Sequence, residues 1–191
     1  MNWFPQYNFI LASKSPRRQQ LLKSLNIDFD VITKEVDEIY PEGLQREEIP
    51  VFLAELKSKP FIPELSDEDL LITADTVVCL GNSVLGKPRD YDEAFAMLEN
   101  LSGKEHQVIT GVCISSNKKM NSFYSLSNVR FKKLLRPEIE YYITEFKPYD
   151  KAGAYGIQEW IGTIGITHIE GSFYNVMGLP IQKLYEEIQK F

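Results

Sequence analysis

Phe9-Ile10-Leu11-Ala12-Ser13-Lys14-Ser15-Pro16-Arg17-Arg18 decides how the chain begins to fold. The four apolar residues make a short buried strand. Ser15-Pro16 then opens a helix, with serine as the cap and proline at the first helical position, where its missing N–H is no loss. Leu21, Leu22 and Leu25 form the apolar stripe of that helix, so Arg17 and Arg18 fall in its first turn. Outward from this strand-to-helix unit, Phe29–Thr33 reads as a second strand. Pro50 opens a second helix striped by Phe52, Leu53 and Leu56, and Pro60–Pro63 with 67–69 reads as a surface loop. Leu70–Leu80 is a long apolar run broken by Thr73, Asp75 and Thr76. Asp90-x-x-Glu93 is a capping box before the helix Ala94–Leu101, which Gly103 ends. Gln107–Ser115 and Ser122–Phe131 are strands joined by a turn at 117–119. Pro137 opens a helix with Ile139, Tyr142, Ile143 and Phe146 facing inward. Ile164–Ile169 is a late strand, and Ile181–Phe191 a final helix. Strands and helices mixed in this order predict an α/β or α+β fold with a mixed sheet.

A chain of 191 residues, 43% hydrophobic and 25% charged, is long enough for one full core, and a single domain over 1–191 is expected. The net charge of -6 argues against a general nucleic-acid binder, which needs a basic surface. A small anionic substrate requires only a local cation cluster. Cys79 and Cys113 sit in apolar runs and read as two buried thiols, consistent with a reducing, cytoplasmic setting. The segment Met1–Tyr7 has no basic leader character, and no run of about 20 apolar residues marks a membrane span.

Several segments carry chemical potential. The turn Ser13–Arg18 places two hydroxyls and three cations at the positive end of a helix, a site for phosphate; a capped helix with solvated basic residues is the other reading. Arg17 and Arg18 oppose the helix dipole there, so stability alone does not explain them. Asp75 is a carboxylate in an apolar run; it is solvated at the strand's end, or it is paired or metal-bound. Glu38, after the second strand, is a second carboxylate or a solvated loop charge. Gly81-x-x-x-x-Gly86-Lys87 matches a phosphate loop only superficially, because Pro88 stands where a hydroxyl would bind magnesium. Gly81-Asn82 instead reads as a hairpin turn, after which Lys87 points from the end of a strand. In Asp150–Gln158, glycines and alanines allow close approach of a ligand to backbone, and Gln158 offers both a donor and an acceptor to a base edge. A plain glycine-bearing turn is the competing reading. His106 and His168 have no neighbouring ligand residues and read as structural.

Taken in order, Leu11–Arg18, Ala74–Val78, Gly86-Lys87-Pro88, Ser102-Gly103-x-x-His106-x-Val108, Asp150–Gln158 and Gly171-Ser172-x-x-Asn175-Val176-x-Gly178-Leu179-Pro180 resemble the Maf-like nucleotide pyrophosphatases, from Phe9 to the C-terminus. The run Lys151–Gln158 is similar to the branch acting on dTTP and UTP. Lys14 and Glu159 stand where glycine is commoner. The resemblance implies two α/β lobes around a central cleft, of the inosine-triphosphatase type, often dimeric. It implies that Asp75 is the catalytic carboxylate, and that Arg17, Thr76 and Gln158 set base choice. Ser13, Arg18, Lys57 and Lys87 then hold the triphosphate; as exposed cations in a cleft, Arg18, Lys57 and Lys87 are expected to contribute little to stability. Asp75 and Glu38 bind a divalent cation, Mg²⁺ or Mn²⁺. The expected reaction is hydrolysis of a nucleoside triphosphate to the monophosphate and pyrophosphate. Two alternatives share the anion site: a nucleotidyl or phosphoryl transferase, and a nucleotide-binding regulator of septum formation without turnover.

Overall fold

The structure, a computed structural model, describes residues 3–191; Met1 and Asn2, the start of the segment read as lacking a basic leader, lie outside it. Its strands form a mixed seven-stranded sheet, β2-β1-β3-β5-β6-β7 with β4 on β3, where β1 is Asn8–Leu11, β2 Phe29–Val31, β3 Asp69–Leu80, β4 Ser83–Leu85, β5 Glu105–Ser115, β6 Met120–Phe131 and β7 Ile166–Glu170. The α/β class with a mixed sheet is therefore as predicted. The chain divides into two compact units. Unit 1 comprises Met1–Asp75, Thr110–Ser125 and Gly178–Phe191; unit 2 comprises Thr76–Ile109 and Leu126–Met177. Among the described residues no helix is long and apolar enough to cross a membrane.

In unit 1, β1 pairs in parallel with β2 (Phe9↔Phe29) and with β3 (Leu11↔Ile72). The helix α1, Pro16–Lys23, makes the crossover between β1 and β2, with Ser15 as its cap and proline in the first turn, as the sequence demands. The second strand ends at Val31 rather than Thr33, because it is the sheet's outer strand and its far end is exposed. The helix α2, Glu48–Ser58, starts two residues before Pro50. Proline fits in its first turn because those N–H groups have no partner within the helix. The reciprocal bonds Gln45 N–H to Glu48 Oε2 (2.7 Å) and Glu48 N–H to the Gln45 carbonyl (3.0 Å) set that start. Leu53 is buried, but Phe52 and Leu56 are only half-buried; Ile49, Ala54 and Ser58 complete the inward face. The expected loop at Pro60–Pro63 is more ordered than predicted. Phe61 is buried against Leu65 and Leu71, and Ile62–Glu64 is a 3-10 turn.

Two contacts seat α2 on the sheet. Thr73 Oγ1 donates to the Ala54 carbonyl at 2.7 Å. At Gly111 in β5, a Cβ would lie 2.3 Å from the amide nitrogen of Val51, so only glycine allows this approach. The helix α7, Ile181–Gln189, closes unit 1, ending two residues before the predicted Phe191.

Unit 2 has its own core, with Val78, Leu98, Val129, Phe131, Tyr142 and Ile161 at its centre. The helix α3, Tyr91–Leu101, starts where Asp90 Oδ1 accepts from Glu93 N–H at 2.9 Å, three residues before the predicted Ala94. The hairpin at Gly81 is present: β3 and β4 pair antiparallel with Val78↔Leu85, which removes the phosphate-loop reading. The helix α4, Arg136–Phe146, buries Ile139, Tyr142 and Ile143, but Phe146 at its end is exposed. Two helices were not foreseen: α5, Trp160–Gly165, and α6, Phe173–Met177. The first takes Ile164 and Gly165 from the predicted late strand. Both cysteines are buried thiols outside any disulfide. His106 is buried, with Nε2 2.7 Å from the Tyr155 hydroxyl and its ring stacked on Phe131, whereas His168 is exposed on β7.

Candidate active site

The geometry of α2 and β3 brings opposite charges together in unit 1. Alternation along a strand puts Asp75 on the same face as Thr73. Residues three apart on a helix are neighbours, so Lys57 lies beside Ala54. Since Thr73 is bonded to Ala54, Lys57 is delivered to Asp75, and its Nζ lies 2.6 Å from Asp75 Oδ1. The same Nζ is 3.1 Å from Glu38 Oε1. One ammonium thus serves two carboxylates. The Lys57 and Asp75 side chains are only 18% and 13% exposed, while that of Glu38, at 46%, reaches in from solvent. Asp75 is therefore a paired, largely buried carboxylate rather than a solvated strand end, and charge pairing at this depth carries real energy.

Arg18 joins the cluster from α1. Its Nε donates to the Gly178 carbonyl at 2.8 Å and one terminal nitrogen to the Ala74 carbonyl at 2.7 Å. Burial lowers the pKa of its guanidinium; the Asp75 charge opposes this and the nearby Arg17 adds to it. The expectation that Arg18 and Lys57 are exposed cations dispensable for stability is corrected: both are embedded, and Arg18 ties the first turn of α1 to two backbone carbonyls. Ser13 is buried, and its Oγ accepts the Ser15 N–H at 3.2 Å, so it shapes the turn into α1 from within. Arg17 is half-buried in the same turn, beside the exposed Lys14.

The remaining candidates belong to unit 2. Thr76, half-buried, follows Asp75 along β3 and faces the other way. Lys87 is exposed just past β4. Gln158 is exposed at the end of the glycine-bearing loop. The loop is tied to the Lys87 turn, because Gly153 N–H donates to the Gly86 carbonyl at 3.0 Å. Gly153 there has φ +68°, a left-handed conformation that disfavours a side chain, and a Cβ would touch Val78 at 3.1 Å. Three residues given no role from sequence stand out beside Gln158: Lys151, Tyr142 and Glu159, which are bonded to one another. The sequence hinted at them only through the helical stripe that marked Tyr142 as inward-facing and through Glu159 and Lys151 in or beside the glycine-bearing run.

Asp75 and Glu38 converge on a single cation, which is the arrangement a hard divalent ion needs. Among the described residues no group of three or more His, Cys, Asp or Glu could hold a metal alone. Two carboxylates suffice for Mg²⁺ or Mn²⁺ when polyphosphate oxygens and water complete the shell, so the residues present fit such an ion.

The sequence profile of the Maf-like protein family matches residues 8–191. A protein of Parabacteroides distasonis, named dTTP/UTP pyrophosphatase, is 53% identical over 187 residues, 97% of each chain. One of Flavobacterium psychrophilum with the same name is 52% identical over 182 residues, 95% of this chain and 93% of its own. Among solved structures, the Ham1 protein of Staphylococcus aureus superposes with a TM-score of 0.53 at 17% identity, covering 94% of this chain and 99% of the other. At that identity the likeness is one of fold.

Proposed function

The chain belongs to the Maf-like protein family, and from that premise we propose that it hydrolyses dTTP and UTP to the nucleoside monophosphate and pyrophosphate. The observation that carries the reading is the Asp75–Lys57–Glu38 cluster beside Arg18. It combines a buried carboxylate able to take a proton with cations able to face phosphate. The names borne by relatives more than half identical along nearly the whole chain support the pyrimidine substrate.

In this reading, Asp75 accepts a proton from water as the water oxygen bonds to the α-phosphorus. The bond from the α-phosphorus to the bridging oxygen breaks, and pyrophosphate leaves with its electron pair. Lys57 holds the Asp75 carboxylate in place through their 2.6 Å contact, and Arg18, Ser13 and Lys87 face the phosphates. Asp75 and Glu38 would hold a divalent cation, which would supply part of the positive charge that, with Arg18, Lys57 and Lys87, offsets the roughly four negative charges of the triphosphate. Arg17, Thr76 and Gln158 select the base. Gln158 pairs its amide with the N3–H and carbonyl edge shared by thymine and uracil. The full span 1–191 acts as one functional domain, in the cytoplasm.

The test is pyrophosphate release from dTTP, UTP, ATP and GTP with Mg²⁺ or Mn²⁺, before and after chelation. Release from dTTP and UTP above the purines, abolished by chelator and restored by metal, is expected. Equal turnover of all four, or full activity in excess chelator, refutes the assignment. Release only when an acceptor alcohol is supplied would make the protein a transferase.

A further inference from the structure

Gln158 ends a loop whose fixation is unusual for a glycine-bearing turn. Glu159, the next residue, uses both carboxylate oxygens. Oε2 accepts a short hydrogen bond from the Tyr142 hydroxyl, and Oε1 lies 3.0 Å from Lys151 Nζ. Tyr142, fully buried in α4, in turn accepts the Gly156 N–H at 3.0 Å. The beginning of the loop at Lys151, its middle at Gly156 and its end at Glu159 are thus anchored to one hydroxyl–carboxylate pair. Glu159 also donates its N–H to the Gly156 carbonyl at 3.0 Å and accepts the Thr163 N–H at 3.1 Å, so it fixes the entry to α5 as well. Lys151 is 8% exposed and the Glu159 side chain 20%.

We infer that Glu159 is a positioning residue for base selection: with Tyr142 and Lys151 it holds the backbone from which Gln158 presents its amide. The inference rests on the base-reading role proposed for Gln158. Stability alone does not call for this network, since a buried ammonium, phenol and carboxylate cost desolvation that an apolar filling would avoid. What the network supplies is direction. An exposed glutamine on a mobile loop loses conformational freedom when it pairs with a base, whereas one on a backbone pinned on both sides loses less. Burial first, and Glu159 second, raise the Tyr142 pKa, so the phenol stays a donor throughout the neutral range.

The experiment compares steady-state turnover of dTTP and ATP by wild type, Glu159→Ala, Glu159→Gln, Tyr142→Phe and Gln158→Ala, with melting curves to show that each is folded. Glu159→Ala is expected to raise KM for dTTP about tenfold while kcat changes less than about threefold and ATP is unaffected. Glu159→Gln, which still accepts from Tyr142, recovers most of that loss, and Tyr142→Phe shows it again. If Glu159→Ala does not fold, the other two variants carry the same test. Equal shifts for dTTP and ATP, or a wild-type KM for dTTP in Glu159→Ala and Tyr142→Phe, overturn the positioning role. If Gln158→Ala erases the dTTP preference while the Glu159 variants keep it, only this inference fails. If Gln158→Ala leaves the preference intact, the base-reading role fails and this inference with it.

Discussion

The charged cluster of unit 1 and the Gln158 loop of unit 2 each contain a partly buried ion pair but differ in what else holds them. In unit 1, Asp75, Glu38 and Lys57 hold one another by charge, and the guanidinium of Arg18 is kept in place by backbone carbonyls. Remove the Lys57 charge and the two carboxylates lose the cation they share. In unit 2, the loop is held by backbone amides, a phenol and a single Lys151–Glu159 ion pair, and the residue proposed to read the base is a neutral amide. Charge suits the phosphate handling and proton uptake proposed for the first region. A neutral, sterically fixed edge suits discrimination between bases, because a charge attracts every nucleotide alike. In the core of the same unit, burial pulls the pKa of His106 from 6.5 down to about 4.

The comparison breaks most completely at Asp75. Asp75→Asn keeps the shape but removes the proton acceptor, and turnover of dTTP should fall roughly 100- to 10,000-fold. Affinity for dTTP, measured by titration, should change only a few-fold, since Arg18, Lys57 and Lys87 remain. Near-normal turnover would exclude Asp75 as the base.

The second effect belongs to unit 2 and is one of stability. His106 has a folded pKa below its unfolded one, so its contribution is complete above pH 6.5 and declines as pH falls towards about 4, where the loss levels off. That gap corresponds to on the order of 3 kcal/mol. Denaturant unfolding of wild type and His106→Gln between pH 7 and pH 4 should show the smaller acid loss in the variant. Parallel curves for the two would mean that the buried imidazole is not the acid-sensitive group.

Lys57→Met separates the charge economy of unit 1 from its chemistry. It leaves Asp75 and Glu38 facing each other without their shared cation, and should cost about 1–3 kcal/mol in unfolding free energy, below the full figure for a buried pair because Glu38 is half exposed. Turnover should drop with it. A variant as stable as wild type would show the bridge to be energetically idle.

Gln158→Ala gives the smallest effect and probes the other side of the comparison. The ratio of kcat/KM for dTTP over ATP should narrow about tenfold, with melting temperature unchanged, as for loss of one neutral hydrogen-bonding pair. A ratio that holds would place base discrimination elsewhere.

Much of this was legible along the chain. Ser15-Pro16 marked the start of α1 because capping is local, and Gly81-Asn82 marked the β3–β4 hairpin for the same reason. Asp75 was conspicuous as a carboxylate in an apolar run. The short helices α5 and α6 were not legible: α5 contains Gly162 and Gly165, poor helix formers, and is stabilised by what it packs on. The loop reading of Pro60–Pro63 failed because Phe61 is pulled inward by Leu65 and Leu71, which composition alone does not reveal.

The sequence by itself determined the longer strands and helices, part of their buried faces, and the succession of motifs that marks the family, because capping, periodicity and turn chemistry act over a few residues. Only the tertiary structure decided who meets whom. Lys57 reaches Asp75 because Thr73 bonds Ala54 and glycine at 111 lets α2 lie close to β5. Arg18 finds the Gly178 carbonyl across 160 positions, and Tyr142 finds Glu159 from another helix. Such pairings depend on packing between elements distant in the chain, and no local pattern encodes the distance at which two side chains come to rest.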